Sequence, residues 1–118
     1  YLGADSELAF ANSRSRLRMM MLYQAAQSNN GLVVGTGNKC EDFGVGFYTK
    51  YGDGGVDISP IADLYKSEVY HMAEHLDILK KIMDAPPTDG LWEDGRTDEQ
   101  QLGYSYDDLE KAMSMEKL

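Results

Sequence analysis

The chain has 118 residues and a formal net charge of −9. It has room for one hydrophobic core, and it lacks the basic balance that duplex nucleic-acid binding needs as a main role. No apolar run approaches the roughly 20 residues of a membrane-spanning helix. Cys40 is the only cysteine, which excludes an internal disulfide framework and fits a reducing, cytoplasmic setting. A small phosphorylated ligand stays open, because a few local cations suffice to bind one. The chain starts at Tyr1 rather than Met, so the expectation is that more sequence lies upstream.

Tyr1 to Ala11 reads as the tail of a loop. Asn12 or Ser13 can cap a helix running to about Ser28, with Leu17, Met20, Met21 and Ala25 at helical spacing as its buried stripe. Asn29-Asn30-Gly31 supplies a left-handed terminus. Leu32-Val33-Val34 is apolar without alternation, the pattern of a strand covered on both faces in a parallel sheet. Helix, turn, buried strand and loop make half of a layered α/β domain. Residues 35–62 are glycine-rich and read as a long pair of functional loops. The next helix runs from Tyr65 or Lys66 to about Leu76, with Val69, Met72, Ala73 and Leu76 inward. Leu79, Ile82 and Met83 suggest a short further helix. Ala85-Pro86-Pro87-Thr88 breaks the pattern. From Asp84 to Glu110 nine acids face one base, Arg96, the composition of a solvated, mobile segment. Ser105-Tyr-Asp-Asp108 is close to a capping box and opens a last helix ending near Met113.

The chemistry concentrates between residues 31 and 66. Thr36 directly follows the apolar strand, and ligands of open α/β sheets sit at the carboxyl ends of strands. Gly35-Thr-Gly-Asn38 matches neither the phosphate loop ending in Gly-Lys-Ser/Thr nor the dinucleotide fingerprint. Glu41, five residues on, suits a hard cation, because Mg²⁺ is held by one or two carboxylates plus phosphate oxygens. Lys50 and Lys66 are isolated cations, fit to act as point charges on phosphate. Lys66 also sits near a helix start, where the dipole favours anions. Asp53 and Asp57 flank Gly54-Gly55 and could hold a cationic ligand or ribose hydroxyls, although Asp-Gly-Gly is also a turn signal. Taken singly, each of these residues has an ordinary reading as a turn or solvated side chain. Arg14, Arg16 and Arg18 stand at the expected start of the first helix, against its dipole, so anionic partners are expected, the plainer alternative being pairing with acids of the 84–110 segment. The pair His71 and His75 lacks the adjacent glutamate of a metalloprotease helix and reads as structural. No pattern supports Cys40 as a nucleophile.

Together these residues resemble one family, the ammonia-dependent NAD⁺ synthetases. The matching stretches are Asn12-Ser-Arg-Ser-Arg-Leu-Arg-Met19, Leu32-Val-Val-Gly-Thr-Gly-Asn38, Glu41, Gly46-Phe-Tyr-Thr-Lys-Tyr-Gly-Asp-Gly-Gly-Val-Asp57, Pro60, Lys66 and Pro87-Thr88. Further matches are Gly90-Leu-Trp92, Asp98-Glu99 and Leu102-Gly-Tyr-Ser-Tyr106. The likeness runs from about residue 12 to residue 112. It implies an α/β fold, part of a doubly wound, mostly parallel sheet with flanking helices of the adenine nucleotide alpha hydrolase type. It also implies ATP and Mg²⁺ as cofactors. The implied reaction first adenylates deamido-NAD⁺, releasing pyrophosphate, and ammonia then displaces AMP to give NAD⁺. Carried over by position, Thr36, Lys66 and Thr88 are implied to bind ATP, and Glu41 to bind magnesium. Arg16, Lys50 and Asp57 are implied to contact deamido-NAD⁺. Asp53 is implied to bind or deprotonate ammonium, with Asp53 and Lys66 as the catalytic pair. The resemblance further implies a homodimer with the first helix in its interface.

Three family features are missing: the pyrophosphate loop Ser-Gly-Gly-x-Asp-Ser, the second magnesium aspartate and a C-terminal His-Lys pair. Residues 1–118 therefore read as the C-terminal portion of one synthetase domain, without its pyrophosphate-loop portion. Two other readings are a glutamine-dependent NAD⁺ synthetase, which an upstream amidase domain would reveal, and a non-catalytic nucleotide-binding or dimerisation module. Gly52-Asp-Gly-Gly55 fits the ammonia-dependent branch better. The 118 residues alone, mixed with ATP, Mg²⁺, deamido-NAD⁺ and ammonia, should release no AMP. AMP detected by chromatography would show that the segment carries a complete site.

Overall fold

The computed structural model describes residues 6–115. Helix α1 spans Glu7–Ser28. Ser6 is its N-cap, accepting from Ala9 N at 3.4 Å, and Glu7 places a carboxylate in the first turn. The helix thus begins well before Asn12, and the expected leading loop is helical from Glu7 onward. Whatever part of that loop falls on residues 1–5 lies outside the described residues. Asn30 ends the helix in the left-handed region at φ 52°, and Gly31 N returns to Ala26 O at 2.8 Å, as the Asn-Gly pair predicts.

The stripe expected to be buried on α1 is not. Leu17, Met20 and Met21 are more than half exposed, and Ala25 is exposed. The packed side carries Ala11 and Ser15, both buried, with Asn12, Met19 and Tyr23 beside them. What packs there is the backbone of a polar loop rather than an apolar layer. Small and hydrogen-bonding residues therefore outcompete large hydrophobic ones for that side. Asn12 accepts from Thr49 Oγ1 at 2.6 Å, Ser15 Oγ donates to Asp53 Oδ1 at 2.8 Å, and Arg16 Nε donates to Lys50 O at 3.1 Å. Positions 12, 15 and 16 share one face by helical spacing and grip the turn 49–54 from that face.

The stretch after α1 pairs with residues 57–58. Val34 and Ile58 form a parallel bridge, with Gly35 N donating to Ile58 O at 2.7 Å and Asp57 N to Val33 O at 3.0 Å. Among the described residues this bridge is all that represents the expected parallel sheet. Val33 is buried, but Leu32 and Val34 are 66% and 54% exposed. The double-sided cover read from Leu32-Val33-Val34 is thus absent here, because no described element lies over the other two side chains.

Residues 35–62 are less irregular than expected. Cys40–Val45 form a π-helical turn, closed by Gly46 at φ 67°. Helix α2 spans Lys66–His75 and α3 spans Lys80–Met83, where the hydrophobic spacing places them. Val69 and Ala73 on α2 are half-buried, while Met72 and Leu76 on its expected inner face are exposed. The acidic stretch 84–110 is built rather than merely solvated: α4 spans Asp98–Leu102, α5 spans Tyr106–Met115, and Leu91, Asp98 and Tyr106 are buried. A capping box opens α4, with Thr97 Oγ1 accepting from Gln100 N and Gln100 Oε1 accepting from Thr97 N. Thr97-x-x-Gln100 is a readable start signal that the acidic composition masks. Ser105 Oγ accepts from Asp108 N at 3.2 Å at the start of α5, as the Ser-x-x-Asp pattern predicts. The core is small: Ala11, Val33, Cys40, Ala62, Leu91 and Tyr106 are its buried apolar members.

At Gly52 the backbone of the gripped turn runs against α1. A Cβ there would collide with Ser15 Oγ and come within 2.9 Å of Thr49 Cβ. Gly52→Ala should destabilise the fold by about 1–3 kcal/mol through overpacking. Thermal melting of the variant beside Gly31→Ala, whose Cβ would meet nothing nearer than Ala26 O at 3.6 Å, checks this: Gly52→Ala should melt lower.

Candidate active site

A cavity of about 550 Å³ lies where α1, residues 33–36, the turn 52–56 and the strap 87–91 converge. Thr36, Glu41, Asp53, Lys66 and Thr88 all line it, so five of the eight residues singled out in the sequence meet at one space. Arg16, Lys50 and Asp57 do not line it. Arg16 and Lys50 are exposed and joined through the Lys50 carbonyl. The Lys50 ammonium lies 5.2 Å from the centre of the Tyr51 ring. Asp57 works in the backbone, with Oδ2 accepting from Val33 N at 2.8 Å and Oδ1 from Tyr23 OH at 3.2 Å.

Glu41 lines the cavity with three donors around its carboxylate. The π-helical turn presents it, and its side chain is 13% exposed. Oε2 accepts from Asn38 N at 3.1 Å; Oε1 accepts from Tyr106 OH at 2.6 Å and pairs with Lys66 Nζ at 3.4 Å. Lys66 is the first residue of α2. A cation at a helix N-terminus is unfavourable by itself, and three carboxylates offset it, the first being Glu68, which accepts from Tyr65 N at 2.7 Å. Glu41 pairs with the ammonium, and Glu110 accepts from Ser67 N at 2.9 Å and Ser67 Oγ at 2.7 Å.

Asp98 and Tyr106 belong to the site although sequence reasoning assigned neither a role. Asp98 is 8% exposed and lines the cavity, and its Oδ2 lies 3.3 Å from Tyr106 OH. Its Oδ1 is buried with no hydrogen-bond partner. Burial, reinforced by the charge on Glu41, raises the Asp98 carboxyl above the usual range. Burial and the bond to Glu41 hold the Tyr106 phenol far above its ordinary value, so it acts as a neutral donor. Asp42 is also raised, by burial and then by Glu41 and Asp53. It lines a second cavity of about 280 Å³ that shares Thr36, Glu41 and Asp53 with the first.

The arginines of α1 bind mainly carbonyls, and among the described residues Arg14 alone also pairs with an acid of the 84–110 segment. Arg14 Nη1 donates to Leu91 O at 2.6 Å, and Arg18 donates to Asp89 O and Gly90 O, both at 2.9 Å. One ion pair joins them, between Arg14 and Glu93 at 3.6 Å. Because α1 starts at Glu7, these residues lie beyond its first turn and the dipole argument does not apply to them. Together they fasten the strap 89–91 as a wall of the cavity. Within the strap, Thr88 Oγ1 donates to Arg96 O at 3.0 Å. His71 and His75 are exposed on α2, and no group of three metal-type ligands occurs among the described residues. Cys40 is buried, and burial pushes its thiol up, which disfavours the thiolate that a nucleophile needs.

The NAD synthase family model matches residues 2–118. The chain belongs to the NAD synthase family. Curated relatives include proteins named NH(3)-dependent NAD(+) synthetase from Archaeoglobus fulgidus, 47% identical over 96% of this chain and 45% of that protein, and from Thermoplasma acidophilum, 48% identical over 96% and 46%. The chain therefore spans about half the length of these relatives. Among solved structures, an NMN synthetase from Francisella tularensis superposes with a TM-score of 0.86 at 41% identity, covering 92% of this chain and 45% of that one. An NH3-dependent NAD synthetase from Campylobacter jejuni, in complex with nitrate, gives 0.65 at 36% identity, covering 69% and 35%.

For this NAD synthase segment the raised Asp98 carboxyl has a stability consequence. A carboxyl raised in the folded state binds more protons than in the unfolded state, so stability falls as pH rises from the ordinary carboxylate value through the raised one. Asp98→Asn removes this cost. The variant should melt higher than the parent chain at neutral pH, and the gap should close in acid below the ordinary carboxylate range. A gap that is constant with pH, measured by circular dichroism, would show that Asp98 carries no such burden.

Proposed function

We propose that this chain is the C-terminal portion of a synthetase that makes NAD⁺ from deamido-NAD⁺, ATP and ammonia, releasing AMP and pyrophosphate. The observation that carries the reading is the Glu41–Lys66 pair at 3.4 Å on the wall of a cavity shared with Thr36 and Thr88. Membership of the NAD synthase family and the names of the relatives support it. The chain holds no pyrophosphate loop, so the reaction belongs to the complete protein. The parallel bridge at Val34 and Ile58 is, on this reading, one rung of a larger doubly wound sheet. The exposed stripe Leu17, Met20 and Met21 is a surface for the second subunit of a homodimer. A cytoplasmic location follows from the same reading, and no described helix is long and apolar enough to cross a membrane.

In the first step a carboxylate oxygen of deamido-NAD⁺ attacks the α-phosphorus of ATP and pyrophosphate leaves. Lys66 places a positive charge where negative charge builds on the polyphosphate, and Thr36 and Thr88 orient the nucleotide. Such chemistry relies on positioning and charge neutralisation rather than on a protein nucleophile. Glu41 would hold magnesium, whose contribution when bound is to neutralise polyphosphate oxygens. The donor set fits: it offers one carboxylate held in place by hydrogen bonds, and Mg²⁺ takes few protein ligands when phosphates supply others. In the second step ammonia attacks the acyl carbon and AMP departs with the carboxylate oxygen. Asp53 Oδ1 is committed to Ser15 Oγ and Thr49 N, leaving Oδ2 to receive a proton from ammonium. The second cavity, lined by Glu41, Asp42 and Asp53, is an acidic approach suited to that cation. Arg16, Lys50 and Asp57 are proposed to meet deamido-NAD⁺ outside the ATP cavity.

The Francisella structure supports a second reading. That protein is named an NMN synthetase, so the amidated substrate here could be the mononucleotide acid rather than the dinucleotide. Product formation by the complete protein from each acid, with ammonia or glutamine, decides among these. NAD⁺ from deamido-NAD⁺ with ammonia supports the first reading, while preference for the mononucleotide or for glutamine moves the protein to another branch. Lys66→Ala should lower kcat on the order of 10²–10³-fold, the cost of removing one group that stabilises transition-state charge. A binding module without catalysis would instead lose only nucleotide affinity, with no turnover to lose.

A further inference from the structure

We propose that Tyr106 is a positioning residue of this site, holding Glu41 in place independently of Lys66 so that the lysine is free to turn to phosphate. The inference rests on the synthetase reading above and deepens it.

Tyr106 is 6% exposed and opens α5. It touches both charged groups of the pair in different ways. Its hydroxyl donates to Glu41 Oε1 at 2.6 Å, and Lys66 Nζ lies 4.7 Å from its ring centre, within range of a cation–π contact. The hydroxyl bond is shorter than the 3.4 Å between Lys66 and Glu41, so it is the tighter restraint on the carboxylate. If Lys66 moves to an anion, Oε1 keeps Tyr106 and Oε2 keeps Asn38 N. The carboxylate then neither swings nor stands bare.

The surroundings fix the tyrosine. Glu110, one turn further along the same face of α5, binds Ser67 through its backbone N–H and its hydroxyl. It thereby ties α5 to α2 at the residue after Lys66. Tyr106 N donates to Glu99 Oε1 at 2.9 Å, and Asp98 Oδ2 lies 3.3 Å from the Tyr106 hydroxyl. Asp98 N in turn donates to Pro87 O at 3.0 Å, next to Thr88. One phenol thus links the turn carrying Glu41, the helix carrying Lys66 and the strap carrying Thr88. Groups that orient a metal-type ligand in this way typically change metal affinity about 10–100-fold when lost.

The test compares Tyr106→Phe and Tyr106→Leu in the complete protein that carries this segment. ATP binding is read by calorimetry with and without Mg²⁺, and NAD⁺ formation is read across Mg²⁺ concentration. Tyr106→Phe keeps the ring under Lys66 and removes only the hydroxyl. It should raise the Mg²⁺ concentration for half-maximal effect about ten-fold in both readouts, leaving ATP affinity without Mg²⁺ and the KM for deamido-NAD⁺ within about two-fold. Tyr106→Leu should weaken Mg²⁺-free ATP binding as well. A Tyr106→Phe protein with parental Mg²⁺ dependence, or variants that lower only the melting temperature, would reduce Tyr106 to a packing residue and overturn the proposal. Should Tyr106→Phe fail to fold, fluorotyrosine at position 106 decides instead: a fluorine resonance unmoved when Mg²⁺ joins the ATP complex overturns the proposal, and a shift supports it. If the parent protein makes no NAD⁺, the synthetase reading fails, while the ATP and Mg²⁺ calorimetry still decides the role of Tyr106.

Discussion

The arrangement of this chain depends on how Glu41 is satisfied. A carboxylate that is 13% exposed needs donors or it costs several kcal/mol. Asn38 N, Lys66 Nζ and Tyr106 OH provide them. Those donors come from three stretches of chain far apart in sequence, and each must be placed by its own local structure. Asn38 is fully buried and accepts from Cys40 N and Glu41 N through its side chain, which starts the π-helical turn. Lys66 stands at the head of α2, and Tyr106 at the head of α5. The helix starts are therefore where the charged chemistry collects, and the apolar core stays small.

Helix α1 serves as the frame for the rest. One side grips the turn 49–54 through Asn12, Ser15 and Arg16; another fastens the strap 89–91 through Arg14 and Arg18. Both attachments end largely on backbone or on groups that brace backbone, so the cavity walls are placed by main-chain geometry. Tyr51, in the gripped turn, is left-handed at φ 62°, a conformation that costs a non-glycine residue on the order of 1 kcal/mol. The grip from α1 offsets that strain.

Much of this was legible beforehand. The spacing of apolar residues located α2 and α3, Ser-x-x-Asp located α5, and Asn-Gly located the end of α1. Thr36, Glu41, Asp53, Lys66 and Thr88 were named from sequence and share a cavity. The failures have physical causes. Hydrophobicity was equated with burial on α1, where a polar loop selects Ala11 and Ser15 over Leu17 and Met20. Acidic composition was equated with mobility from Asp84 on, where the Thr97 capping box, the bond from Asp98 N to Pro87 O and the buried Tyr106 organise the chain. Asp98 and Tyr106 stand in family-like stretches but have no role readable from sequence, because their meaning lies in a contact with Glu41, across 65 residues for the tyrosine, which local spacing does not encode.

The strap clamp leaves a charge uncancelled. Peptide carbonyls accept hydrogen bonds from a guanidinium but carry no net charge. Among the described residues Arg18 makes no ion pair, and it lines the cavity. A chain whose overall balance is −9 thus keeps a full positive charge fixed at the cavity wall by neutral partners. Low-dielectric walls focus such a field. Among the described residues four carboxylates, Glu41, Asp53, Asp89 and Asp98, line the same cavity, so Arg18 and Lys66 are the two cations that an entering polyanion can meet there.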